Sequence, residues 1–180
     1  MGNNLPPKII FIGFTSSGKT ATGFAAAMHF GYTFVDLDRE IEALAELQTG
    51  RVLTCRRYFN EFGAESFREL ETAALEENQD REGIVLSTGG GVPLRPQNRE
   101  LLAASGYIVY LRPEIDAVFY RMRSKGFPAY LGESPGRTDL ERAFNDRDPI
   151  YTGLADLTID NTHLSPKDTC ATLAKRFGYA

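Results

Sequence analysis

The sequence predicts an α/β fold built on a parallel sheet with helices on both faces. Three observations carry that expectation. Short apolar runs alternate with longer stretches at helical spacing; the runs are apolar nearly throughout instead of alternating with polar residues; and the first run leads into a glycine-bearing turn that opens a helix. Strands that alternate with helices imply βαβ units, because parallel neighbours need a crossover between them. Strands buried on both faces lose the inside–outside alternation of a half-exposed sheet. A chain of 180 residues fits one domain, residues 1–180, and is long enough to bury most of its apolar surface in one core.

The elements follow in order. Lys8–Ile12 reads as a buried strand, Gly13–Lys19 as the loop after it and Thr20–Phe30 as a helix. Thr33–Val35 is a second strand ending at Asp36, and Arg39–Leu47 and Glu65–Asn78 have helical spacing. Ile84–Leu86 is a third strand running straight into Thr88–Gly91. Tyr107–Leu111 is a fourth, with a helical Glu114–Lys125 after Pro113. Leu157–Ile159 is a fifth, and Pro166–Phe177 is a last helix with Ser165 as its N-cap. Between them, Gly126–Arg137 carries Gly126, Pro128, Gly132, Pro135 and Gly136. Such breakers lower local stability, so the stretch of about 125–137 is read as a lid.

Composition narrows the function. The chain is 42% hydrophobic and 24% charged, as in ordinary soluble domains. Its net charge of −4 argues against a nucleic-acid or anionic-membrane partner held by a broad field, so any anion must be held by a local site. No apolar run approaches the roughly 18 residues of a membrane span, and Met1–Pro7 lacks the basic and apolar regions of a secretion signal. Cys55 and Cys170 are far apart and in no metal-ligand spacing, which points to a reduced, cytoplasmic setting. His29 and His163 are too few for a histidine-based metal site.

Gly13-Phe14-Thr15-Ser16-Ser17-Gly18-Lys19-Thr20 matches G-x-x-x-x-G-K-[ST] at every fixed position, between an apolar strand and a helix. A loop of this kind turns successive backbone N–H groups inward as an anion nest, and the helix behind it adds the positive end of its dipole. Gly13 and Gly18 permit backbone angles and close approaches that a Cβ opposes. Lys19 reaches the β- and γ-phosphates of ATP, and the Thr20 hydroxyl ligates Mg²⁺. The loop specifies a nucleotide but not a reaction.

Four further groups bear on the reaction. Asp36 and Asp38 close the second strand, and alternation along an extended chain puts both carboxylates on one side; one can reach Mg²⁺ through water and the other can accept a hydroxyl proton. The plain alternative is that Asp38 only caps a helix. Arg68 and Glu71 sit three apart on a helix, a spacing that equally suits a surface ion pair. Gly89, Gly90 and Gly91 would let a ligand lie against bare backbone, or form a simple turn. Arg147 lies between Asp146 and Asp148, which would neutralise it unless it grips a substrate carboxylate. Arg121 and Arg123 precede the lid and could meet adenine or phosphates.

Taken in order, the phosphate loop, Asp-x-Asp, Phe67-Arg68-x-x-Glu71, Gly89-Gly90-Gly91 and Arg147 before Pro149-x-Tyr151 strongly resemble shikimate kinase, from about Lys8 to Asp160. The resemblance implies a three-layer α/β/α P-loop kinase fold with a central five-stranded parallel sheet, a substrate-binding region at about 39–70 and a lid over ATP. It implies transfer of the γ-phosphoryl group to the 3-hydroxyl of shikimate, a step of aromatic amino acid biosynthesis, by a monomer. Residue by residue it implies Gly13, Thr15, Ser16, Ser17, Gly18, Lys19, Thr20 and Ala21 around the phosphates, Arg121 on adenine, and Thr20 and Asp36 at Mg²⁺. Asp38 would contact the reacting hydroxyl. Asp38, Arg68, Gly89, Gly90, Gly91 and Arg147 would bind shikimate, the two arginines on its carboxylate.

The chain departs from that pattern twice. Ser16 stands where the family usually has Gly, and Phe127, in Phe127-Pro128-Ala129-Tyr130-Leu131, stands where the lid usually offers an Arg to the transferring phosphate. Arg123, Lys125 or Arg137 would then have to substitute. Two other readings stay open at this point: a related kinase acting on another small hydroxy acid, and a module that binds nucleotide and ligand with little turnover.

Overall fold

The computed structural model describes residues 5–128, 131 and 135–179. Among the described residues, β1 (Lys8–Ile12), β2 (Thr33–Asp36), β3 (Ile84–Ser87), β4 (Tyr107–Leu111) and β5 (Leu157–Ile159) form one sheet in the order β2-β3-β1-β4-β5. Every pairing is parallel, with Ile10 of β1 opposite both Leu86 of β3 and Ile108 of β4. All five residues of β1 are buried, as the unbroken apolar run predicts for the central strand.

Side-chain alternation along β1 divides the core in two. Ile9 and Phe11 point to one face, where they meet Ala26 and Phe30 of α1 (Lys19–Phe30) and Leu173 and Phe177 of α7 (Pro166–Phe177). Ile10 and Ile12 point to the other. There they join Ile41 of α2 (Leu37–Thr49), Leu75 of α3 (Cys55–Glu77), Leu102 of α4 (Pro96–Ser105), Val118 of α5 (Ile115–Lys125) and Leu140 of α6 (Arg137–Leu154). Each such side chain contributes about 1.5–3 kcal/mol on full burial, so the two clusters hold the three layers together. The expected α/β/α architecture with a five-stranded parallel sheet is what the chain adopts.

Lys8, though part of the central strand, is 1% exposed. Its Nζ donates to the carbonyls of Asn78 (2.6 Å) and Gln79 (2.7 Å), just past the C-terminal end of α3. A cation at a helix C-terminus satisfies orphan carbonyls and opposes the dipole. Burial, the largest influence, lowers the Lys8 pKa. This link fixes α3, which carries Arg68 and Glu71, to the strand that carries the phosphate loop.

Three local expectations are corrected. Asp38 is not in extended chain: α2 begins at Leu37, and it is Asp36 that caps it, its Oδ1 accepting from the Asp38 N–H at 3.1 Å. The expected Glu65–Asn78 helix is the second part of α3, which starts at Cys55 under a Thr54 cap and bends at Gly63, whose φ is +87°. Arg137, the expected far end of the lid, opens α6, a helix absent from the sequence reading; Asp139 accepts from the Gly136 N–H at 2.9 Å to cap it. The rest of the lid expectation lies in part outside the described residues: positions 129, 130 and 132–134, Gly132 among them, and the side chain of Lys125.

Candidate active site

The site begins where β1 ends. Gly13 has φ +141°, and a Cβ there would lie 2.6 Å from the Leu111 carbonyl oxygen, so the close approach of β4 requires glycine. Gly18 (φ +101°) turns the chain into α1, whose N-terminus has no side-chain cap and no acid in its first turn. Its N–H groups are therefore left for an anion. Ser16, at φ +64°, is the one non-glycine residue of positive φ among the described residues. It adopts the left-handed conformation that glycine accepts more readily.

Lys19 folds back over the loop, its Nζ donating to the carbonyls of Gly13 and Phe14, both at 2.8 Å. It is 7% exposed. Burial lowers its pKa to about 8 against the upward pull of Asp38 and Asp36. Asp38 lines the cavity with its surface open to solvent, yet its carboxyl is crowded by protein. That partial desolvation, and then Asp36, raises its pKa, while Lys19 acts the other way.

Two cavities of about 520 Å³ each meet at this point. One is lined by Thr15, Ser16, Gly18, Lys19, Thr20 and Ala21 of the loop and helix, by Asp36, and by Arg121 of α5 and Asn161 beyond β5. Gly13 and Ser17, expected around the phosphates, are buried within the loop and absent from this wall. Arg121 donates at 3.4 Å to the carbonyls of Ser17, Asn161 and Thr162. The second cavity lies against α3 and is lined by Cys55, Arg56, Phe59, Phe67, Arg68, Glu71, Gly91 and, from the lid side, Phe127. Thr15, Asp38, Gly89 and Gly90 line both.

The glycines have distinct reasons. A Cβ on Gly89 would lie 2.9 Å from Asp38 Oδ1, one on Gly90 2.9 Å from Thr15 Oγ1, and one on Gly91 2.6 Å from Arg68 Nη2. Three functional side chains thus press on bare backbone. Arg68 forms an ion pair and hydrogen bond with Glu71 across one helical turn. Glu71 is 2% exposed, and burial pushes its pKa up to about 7 against the attraction of Arg68. The pair is therefore internal rather than a surface bridge.

Not every expected residue meets the second cavity. Arg147 is absent from its described lining and carries its guanidinium 5.3 Å over the Phe14 ring. Asp148 turns instead to Arg112 (2.7 Å) and to the Tyr110 hydroxyl (2.7 Å). Of the cations expected to replace the lid arginine, Arg137 pairs with Asp116 and Glu141, and neither it nor Arg123 lines either cavity. The reading from sequence missed Asn161, whose Nδ2 donates to the Ser17 carbonyl at 2.7 Å, and Arg56, whose Nη2 donates to the Phe127 carbonyl at 3.1 Å. Asn161 follows a strand's C-terminal end, where open α/β sheets bind ligands, and that position was the available signal.

A phosphate loop on the central strand of this sheet, with a second cavity across one shared wall, defines a P-loop kinase of the small-molecule type. Comparison with known proteins narrows this further. The chain belongs to the shikimate kinase family, whose model, "Shikimate kinase", matches residues 15–177. It is 38% identical over 155 residues to a shikimate kinase of Cupriavidus pinatubonensis, covering 86% of this chain and 77% of that one. It is 39% identical over 159 residues to one of Chromobacterium violaceum, covering 88% and 83%. Among solved structures it is similar to shikimate kinase from Acinetobacter baumannii in complex with shikimate, with TM-score 0.84, 32% identity and coverage of 94% and 92%. The family is one of ATP- and Mg²⁺-dependent phosphotransferases with an alcohol acceptor. No described helix is long and apolar enough to cross a membrane.

Proposed function

We propose that the chain transfers the γ-phosphoryl group of ATP to the 3-hydroxyl of shikimate, with the nucleotide in the cavity over α1 and the acid in the cavity against α3. The observation that carries this assignment is the shared wall: Thr15, Asp38, Gly89 and Gly90 line both cavities, so a donor in one and an acceptor in the other would be held side by side. The substrate region is residues 39–70, the lid about 125–137, and the working unit a single chain in the cytoplasm, with no nucleic-acid or membrane partner.

Among the described residues no three His, Cys, Asp or Glu side chains cluster to hold a metal alone. Thr20 and Asp36 nevertheless wall the nucleotide cavity together, a sparse oxygen set that fits an ion held mainly by phosphates and water. When bound, Mg²⁺ supplies a Lewis acid on the phosphate oxygens. The loop amides and Lys19 hold the phosphates and balance the charge that develops on them. Asp38 orients the hydroxyl and accepts its proton as the new O–P bond forms and the bond from phosphorus to ADP breaks. Arg68, fixed by Glu71, serves the acid's carboxylate; Arg147 joins it only by leaving its place over the Phe14 ring; Arg121 and Asn161 serve the nucleoside end. Lid closure excludes water, which would compete as nucleophile.

The test is ADP release with ATP, Mg²⁺ and shikimate against a blank lacking shikimate. Turnover that depends on shikimate is expected, and Lys19→Met is expected to abolish it. An absence of shikimate-dependent turnover in protein that binds ATP would overturn the acceptor assignment.

A further inference from the structure

The cavity against α3 holds one described cation that no carboxylate answers. Its described acids are Asp38 and Glu71, and its described cations are Arg56 and Arg68. Arg68 is answered by Glu71. Asp38 stands beside a second carboxylate, Asp36, and points its Oδ1 at Gly89. Without Arg56 the described lining would carry two acids against one cation, and an acidic acceptor would enter a net-negative cavity. Arg56 stands in the first turn of α3 at the cavity's rim, exposed, with no carboxylate partner among the described residues. Its one described hydrogen bond goes to a neutral acceptor, the Phe127 carbonyl, from the residue that opens the lid side of the same cavity.

We propose that Arg56 is a specificity-determining residue that recognises the acceptor's carboxylate, held at the cavity's rim by its bond to the Phe127 carbonyl. The inference rests on the acid-acceptor reading above and adds a residue to it. The chemistry favours this role over a purely structural tether. A guanidinium offers five donors in a planar fork, and one bond to a carbonyl leaves the rest for a carboxylate. A rim cation also attracts an anion into the cavity.

The experiment measures dissociation constants for shikimate and for its methyl ester with ADP and Mg²⁺ present, on wild type, Arg56→Gln and Arg56→Lys. Gln keeps an N–H for the Phe127 carbonyl but loses the charge, whereas Lys keeps the charge. Arg56→Gln is expected to weaken shikimate binding by about 10–100-fold and leave the ester within about threefold, while Arg56→Lys keeps most of the preference for the acid. ADP affinity and the thermal midpoint are expected to hold in both variants, because Arg56 is exposed and lies outside the nucleotide cavity. Equal losses for acid and ester, or an Arg56→Gln variant that binds the acid like wild type, would overturn the proposal. Wild-type turnover of shikimate tests the acceptor assignment separately, so the two can fail independently.

Discussion

Raising the pH above 8 should disable the phosphate loop without unfolding the protein. Lys19 is nearly buried, and its pKa is lowered to about 8. A group titrating there is about nine-tenths charged at pH 7, half charged at pH 8 and about one-tenth charged at pH 9. Phosphate capture needs the charged form, so kcat/KM for ATP should fall about tenfold from its plateau by pH 9 and tenfold per unit beyond. Because kcat/KM reports the free enzyme, the limb belongs there. Bound phosphate drives the Lys19 pKa back up, so kcat at saturating ATP should stay level over the same range. The stability sign is opposite. The folded state binds fewer protons at Lys19 than the unfolded state between pH 8 and 10.5, so this group's contribution to stability rises with pH across that window. ADP release followed from pH 6 to 10, with thermal midpoints measured in parallel, separates the two effects. Lys19→Arg keeps its charge throughout and should lose the limb, on a lower plateau. A profile flat to pH 10, or a parallel fall in kcat, would refute the assignment.

Four substitutions probe the rest of the site. Asp38→Asn should lower kcat by about 10²–10⁴, the usual worth of a positioned base, and leave ATP affinity unchanged; steady-state kinetics at saturating substrates checks it. Ser16→Gly relieves a left-handed serine (φ +64°) and should shift stability by less than about 1 kcal/mol, slightly upward, by calorimetry. Gly90→Ala places a Cβ 2.9 Å from Thr15 Oγ1 and 3.0 Å from its backbone N, so turnover should fall by at least about tenfold while the fold survives; a wild-type rate would contradict the shared-wall geometry. Arg147→Ala should raise KM for the acid more than for ATP, and equal effects on both would contradict a carboxylate role.

What was legible in the sequence was whatever the backbone itself dictates. The three inner strands, β3, β1 and β4, are nearly continuous apolar runs, and the phosphate loop is a fixed spacing of glycines, lysine and threonine, so both could be read with near-correct limits. The misses have other causes. Helix α6 is rich in charge and carries Pro149, a local signal against helix, yet Leu140, Phe144 and Tyr151 bury one face and hold it. The first part of α3 is separated from the second by Gly63, so its apolar spacing breaks in mid-helix. Asp38 looked extended because Asp36 is a strong cap that starts α2 at Leu37, two residues before the expected Arg39. Arg56 was not legible at all. Its meaning depends on the Phe127 carbonyl, 71 positions away, and no local pattern records such a contact.

The charges at the centre explain one another. Burial pushes Lys19 and Asp38 each toward neutrality, and each restrains the other's shift. Lys19 meanwhile rests on two neutral carbonyls, Gly13 and Phe14, at 2.8 Å. Exchanging those for anionic phosphate oxygens turns neutral-acceptor bonds into charge-assisted ones, roughly twice as strong, so nucleotide binding draws Lys19 off the loop with little reorganisation of the backbone. On the proposed mechanism that movement would shift positive charge from Asp38 toward the phosphates, so one lysine would restrain the carboxylate in the empty site and serve the transferring group in the assembled one.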